Sequence, residues 1–162
     1  MTNEQLININ MAEFKVAKAP GTMRTVLGSC VGVFLYDPHA KIGGLLHIML
    51  PEHPSDGSAY NKAKFATSGI PLLIDQMMQA GAQKRNLICK ICGGSKMFSG
   101  FSSNTNIDIG NRNQLATQQV LRDHGIKISA SDLGGATGRK IMVDLSNGSI
   151  HIFHFNVGEK VI

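Results

Sequence analysis

Cys30 is the residue with the most chemistry in reach. It closes the run Thr25-Val-Leu-Gly-Ser-Cys30, between two apolar stretches, where Gly28 and Ser29 allow the backbone to turn sharply. A turn of that kind can present backbone N–H groups beside a thiol, and such groups can stabilise an oxyanion. Near pH 7 a thiol needs a base or a positive neighbour to become a useful nucleophile. His47, in G-G-L-L-H-I-M-L-P, can supply the base. A strand out of Cys30, a turn at Asp37-Pro38 and a strand back set the two residues opposite each other if the turn is centred on Pro38-His39. Spacing alone leaves a second reading open: Cys30 as a small buried apolar side chain and His47 as a satisfied core or surface histidine.

The other candidates carry less. Cys89 and Cys92 form a C-x-x-C, but on a strand residues three apart point to opposite faces, so the sulfurs diverge. No second Cys or His pair completes a four-ligand set, so neither a metal nor a cofactor is expected. His151 and His154 diverge for the same reason, while His53 and His124 read as loop and helix-end residues. The segments G-G-S-K (93–96) and G-G-A-T-G-R-K (134–140) each hold a lysine but match no phosphate-binding loop. Their glycines are expected to let chain segments pass closely or turn tightly. In I-G-N-R-N (109–113) the asparagine beside a helix start reads as a cap, and Arg112 as a packing or salt-bridge residue.

The elements that must position these residues follow from pattern. Residues 11–18, 22–27, 31–36 and 41–50 read as strands, separated by A-P-G at 19–21, the Gly-Ser-Cys turn and Asp37-Pro38. Their close spacing suits antiparallel pairing. The polar stretch 51–60 reads as a mobile loop. A helix at about 61–80 carries Ile70, Leu73, Ile74 and Met77 on one stripe, with Pro71 marking either its start near Ile70 or a kink, and Gly81 as its stop. Residues 86–92 form a buried strand. A second helix at about 110–124 turns Leu115, Val120 and Leu121 inward and stops at Gly125. A strand at 126–131 precedes a hairpin of 139–145 with 149–155 around Asn147-Gly148. Many strands with two inserted helices make an α+β class: one layered domain over residues 1–162, with a mostly antiparallel or mixed sheet flanked by two main helices.

Composition bounds the function. With 162 residues, 43% apolar and 17% charged, the chain can build a core and is not disordered as a whole. The net charge of +5 permits an acidic partner, but the basic residues are scattered, so nucleic acid is not indicated. No Trp and only 2 Tyr weigh against stacking on bases or sugars. Three cysteines make no disulfide framework. The first residues lack the pattern of a secretory signal, and no window nears the ~18 apolar residues of a membrane span. The expectation is a soluble protein in a reducing, cytoplasmic setting, without direct membrane insertion.

The segments L-G-S-C-V-G-V-F-L-Y-D-P and G-G-L-L-H-I-M-L-P are followed, in order, by I-C-G-G-S-K-M-F, I-G-N-R-N and D-L-G-G-A-T-G-R-K. In these the chain resembles the chemoreceptor glutamine deamidases, the CheD family, from about residue 11 to 155. The resemblance implies a layered α/β fold. It implies hydrolysis of selected glutamine side chains of methyl-accepting chemotaxis receptors to glutamate. It implies a Cys–His–Thr site in which Cys30 is the nucleophile and His47 the base. Thr25 matches the third position, with Thr22 as the alternative, and Gly28 and Ser29 would hold the oxyanion or position the substrate. It also implies a CheC-type phosphatase as partner. Two other readings stand beside it: a docking module for receptors or a phosphatase without turnover, and a different thiol acyl hydrolase such as a thioesterase or peptidase.

Overall fold

Two sequence runs, V-G-V-F-L-Y-D and I-G-G-L-L-H-I, are apolar without alternation. That is the pattern of strands covered on both faces. In the computed structural model, which describes residues 4–97, 108–155 and 157–162, every residue of both is buried. They are β4 (Val31–Asp37) and β5 (Ile42–Ile48), the middle of one five-stranded sheet. Its order is β2 (Phe14–Lys18), β5, β4, β6 (Ile88–Gly93), β7 (Ile128–Leu133). A second five-stranded sheet runs β1 (Leu6–Asn8), β3 (Thr22–Leu27), β8 (Arg139–Asp144), β9 (Ile150–His154), β10 (Gly158–Val161). Each sheet is antiparallel except for one parallel pair, β1 with β3 and β6 with β7.

Three layers result. The helices α1 (Ala66–Gln79) and α2 (Ile109–Asp123) cover the outer face of the β4–β5 sheet, where Leu46, Ile70, Leu73, Met77, Ile91 and Leu121 share one core. The second core lies between the sheets and holds Met23, Leu27, Phe34, Leu45, Ile141 and Ile152. Fully burying each such side chain is worth about 1.5–3 kcal/mol. The α+β class and the mostly antiparallel, mixed pairing are as expected. The division into two sheets is new: β2 and β3 follow each other through A-P-G yet pair in different sheets.

Several local expectations change. The first helix begins at Ala66, so Pro71 sits inside it after its first turn, and a separate short turn of helix covers Lys62–Lys64. Residues 51–60 form no helix or strand, as expected of a loop, and within them His53 stacks on Tyr60 at 5.2 Å and its ring meets the Thr67 hydroxyl at 2.6 Å. Asn147-Gly148 does lie in the β8–β9 connection, where Gly148 takes φ 75 and a Cβ there would fall 2.5 Å from the Tyr36 ring. The cap of α2 is Asp108, whose carboxylate accepts the Asn111 N–H at 3.0 Å. Gly125 ends that helix with φ 70.

Leu115 is the clearest reversal. It is 57% exposed, because the face of α2 turned inward carries Gly110, Asn113, Thr117, Val120 and Leu121. Residues 110, 113, 117 and 120 follow helical spacing, and Leu115, two residues from Asn113, falls outside their stripe. The inward face starts small and polar since it meets turn carbonyls. Replacing Leu121 by Ala should therefore cost about 2–5 kcal/mol, whereas Leu115→Gln should stay within about 0.5 kcal/mol. Urea unfolding of both variants checks this, and equal losses would put Leu115 back in the core.

Candidate active site

His47 projects from β5 into the space between the sheets and is 2% exposed. Thr25, on β3 of the facing sheet, meets its Nδ1 at 2.7 Å. The Thr25 hydroxyl has a second neighbour, the Ile9 carbonyl, at 2.8 Å. A hydroxyl has one proton, and a carbonyl can only accept. Thr25 therefore donates to Ile9 and accepts from Nδ1–H. That fixes the imidazole tautomer and leaves Nε2 with its lone pair free. Nε2 is buried and has no hydrogen-bond partner among the described residues. Thr22 lies three residues away on the same strand, hence on the other face of the sheet, and its N–H goes to the Gln5 carbonyl at 2.9 Å.

Cys30 precedes the first residue of β4. Directly opposite His47 in the ladder stands Gly32, not Cys30, and the hairpin is centred between His39 and Ala40. The reason is the turn chemistry. The Asp37 carboxylate accepts the N–H groups of His39 (2.9 Å) and Ala40 (3.0 Å), and Lys41 takes the left-handed conformation at φ 56, so the loop extends past Pro38-His39. The displacement between Cys30 and Gly32 is an even number of residues, and an even slip keeps the face. Carried past the end of the ladder, that phase puts Cys30, in the bend just before β4, on the side of the sheet from which His47 projects, with no hydrogen bond between its thiol and His47 Nε2. Consistent with this, Cys30 packs against the inter-sheet core.

The turn before Cys30 is held by its carbonyls. Gly28 O accepts from Ser95 N at 2.9 Å, Ser29 O from Asn113 Nδ2 at 2.9 Å, and Cys30 O from Gly94 N at 2.8 Å. The glycine-rich segments are thus structural neighbours of the turn. A Cβ at Gly93, where φ is 110, would sit 2.2 Å from Cys30 O. The second glycine segment ties back to the first: Lys96 N donates to Gly135 O and Gly134 N to Gly93 O, both at 2.9 Å. Arg139, 1% exposed, pins the knot by donating to Ser95 Oγ at 2.9 Å and to the Gly134 carbonyl. Its charge is balanced by the Asp132 carboxylate, which also meets His154 Nε2 at 2.8 Å and Lys160 Nζ at 3.1 Å. Burial raises the Asp132 carboxyl, but Lys160, Arg139 and His154 outweigh it and hold it below its ordinary range.

Burial also sets the protonation of the site. It pushes His47 down to about 4. It pushes the Cys30 thiol up, with the residue's own backbone N–H working the other way. At neutral pH the site therefore holds a neutral thiol and a neutral imidazole. Cys89 and Cys92 are fully buried, face different cores and are pushed up to about 12, which makes them inert. Among the described residues no group of three His, Cys, Asp or Glu could hold a metal ion, and no helix is long and apolar enough to cross a membrane.

Residues 49–154 match the family described as CheD chemotactic sensory transduction. A protein of Caldanaerobacter subterraneus subsp. tengcongensis, named probable chemoreceptor glutamine deamidase CheD, is 43% identical over 159 residues, 98% of this chain and 98% of that one. A protein of Desulforamulus reducens with the same name is 43% identical over 157 residues, 96% of this chain and 95% of its own. The chain belongs to the CheD family. Both relatives extend over the part of this CheD chain that carries Cys30 and His47, which the family match itself does not reach. Among solved structures, the Bacillus licheniformis hypothetical protein YfiH overlays 76% of this chain on 50% of its own, with a TM-score of 0.48 at 12% identity.

Of the residues singled out in the sequence, the structure joins Thr25 to His47 and holds Gly28, Ser29 and Cys30 in one turn, with no hydrogen bond between the two groups. Sequence reasoning missed Ile9 and Asn113. The alternation L-I-N-I-N at 6–10 was the available signal for β1, the strand that delivers the Ile9 carbonyl. For Asn113 the only signal was a polar residue in phase with the buried helix face. Phe98 of I-C-G-G-S-K-M-F lies outside the described residues.

The His47 shift has a consequence for stability. Its folded value, about 4, lies below the unfolded value of 6.5, so the unfolded chain takes up the proton first. Stability is full above about pH 6.5 and falls by roughly 3 kcal/mol as pH drops to about 4. Urea melts across this window, compared between the wild type and His47→Gln, should show the variant with the shallower pH dependence. Equal slopes would contradict a buried neutral imidazole.

Proposed function

We propose that this chain is a protein-glutamine deamidase of chemotaxis receptors, working through Cys30, His47 and Thr25. The observation that carries the reading is the hydrogen bond from His47 Nδ1 to a hydroxyl already committed to Ile9, which leaves Nε2 a free base on the face shared with Cys30. The relatives' names supply the substrate, a glutamine side chain of a chemoreceptor. A cytoplasmic setting goes with this reading. On the family resemblance alone, we extend it to a CheC-type phosphatase as binding partner.

The steps follow from the neutral pair. Cys30 Sγ attacks the carboxamide carbon while His47 Nε2 takes the thiol proton, so no thiolate need exist beforehand. The N–H groups at Ser29 and Cys30 hold the oxyanion, in a turn whose carbonyls are each tied to another segment. The imidazolium gives its proton to the amide nitrogen, the C–N bond breaks and ammonia leaves. A thioester remains. His47 then takes a proton from water, the hydroxide attacks, the C–S bond breaks and the proton returns to sulfur, leaving glutamate. Thr25 orients the ring but, being uncharged, stabilises the imidazolium less than a carboxylate would.

Incubating the protein with receptor cytoplasmic fragments and mapping glutamines converted to glutamate by mass spectrometry tests this. Cys30→Ala should abolish conversion while retaining binding. Thr25→Val should lower kcat by about 10–100-fold, and Thr25→Ser should recover most of it. Normal turnover by Cys30→Ala would overturn the assignment, and wild-type binding without conversion of any receptor would leave a docking module.

A further inference from the structure

The β4–β5 ladder ends at the pair Val31 and Ile48, and the reacting side chains sit at that end. Beyond it no strand pairing holds Cys30 to the segment that follows His47. Asn113 occupies this place. It is fully buried, and its Nδ2 donates to Ser29 O and to Met49 O, each at 2.9 Å. Ser29 immediately precedes Cys30, and Met49 follows His47 by one residue beyond Ile48. Two carbonyl acceptors fix which way the amide faces, and both amide hydrogens are used. The cost is visible on the other side: Asn113 Oδ1 is buried without a partner among the described residues. An orphaned acceptor costs about 1–3 kcal/mol, which the two hydrogen bonds donated to Ser29 O and Met49 O offset.

The rest of α2 is arranged to hold that amide in place. Gln114 Nε2 donates to Gly94 O at 2.7 Å, and Gly110 lies so close that a Cβ would fall 2.3 Å from Ser95 O. Gly94 in turn donates to Cys30 O. The helix thus holds the cysteine turn directly at Ser29 and, through Gly94, at Cys30, and reaches the end of the histidine strand through the Asn113 side chain.

We propose that Asn113 is a positioning residue: its carboxamide staples the strand end carrying Cys30 to the strand end carrying His47 and so sets the spacing between thiol and imidazole. The proposal rests on the Cys30–His47 reading of the site. Asn113→Leu keeps the branched shape and removes both donors, Asn113→Ala does so with less bulk, and Thr117→Val, one turn along the same buried face, serves as the packing control. Deamidation kinetics on a receptor fragment should show kcat reduced about 100-fold in both Asn113 variants with KM little changed, and Thr117→Val close to wild type.

A second readout does not depend on deamidation. Alkylation of Cys30 by iodoacetamide is measured with and without His47→Ala. In the native frame the histidine substitution should slow alkylation several-fold. In the Asn113→Leu and Asn113→Ala frames it should have little effect, because the pair is no longer coupled. Undiminished coupling in those frames, or a kcat loss in Thr117→Val as large as in Asn113→Leu, would overturn the staple. A wild type that deamidates nothing would instead overturn the deamidase reading, with the alkylation cycle still deciding the role of Asn113.

Discussion

One hydrogen bond between the two sheets organises the site. Thr25 and His47 come from strands that never pair with each other, and their 2.7 Å contact is a buried polar link across the inter-sheet core. The direction of that bond is decided elsewhere, by the Ile9 carbonyl. A short parallel strand, paired over Leu6 to Asn8, exists to bring that carbonyl to Thr25. Remove the carbonyl and the hydroxyl is free to donate to the ring, which would switch the tautomer and fill the nitrogen that the proposed mechanism uses as base.

The same layering explains why the pair rests uncharged. A carboxylate in place of Thr25 would favour imidazolium, and a hydroxyl does not. Between two sheets, with no compensating charge in contact, burial lowers His47 and raises Cys30 together. Arg139 and Asp132 neutralise each other and serve to fasten the two glycine segments. The site therefore gains its reactivity from placement, which is why so many hydrogen bonds converge on the carbonyls of Gly28, Ser29 and Cys30.

What the sequence could and could not reveal has physical reasons. Unbroken apolar runs identified β4 and β5, glycines at 81, 125 and 148 marked real stops and turns, and side-chain alternation correctly sent Cys89 and Cys92 to different cores. Alternation carries no information about partners, so the split of β2 and β3 between sheets was not legible. The pairing register depended on Asp37 accepting two N–H groups, a detail that the dipeptide Asp37-Pro38 does not announce. An even slip preserved the Cys30–His47 face, whereas a slip of one residue would have separated them. Asn113 was missed because its role lies wholly in contacts distant in sequence, with Ser29 and Met49. Leu115 was misplaced because apolar character was followed on a helix whose inward face is polar where it meets the turn.

A neutral His47, with its proton on Nδ1 and Nε2 bare, underlies all of this chemistry. Long-range proton–nitrogen NMR of the ring measures this directly. An Nδ1–H tautomer at neutral pH and a titration displaced to about 4 are expected. A proton on Nε2, or a transition at the ordinary 6.5, would contradict that protonation.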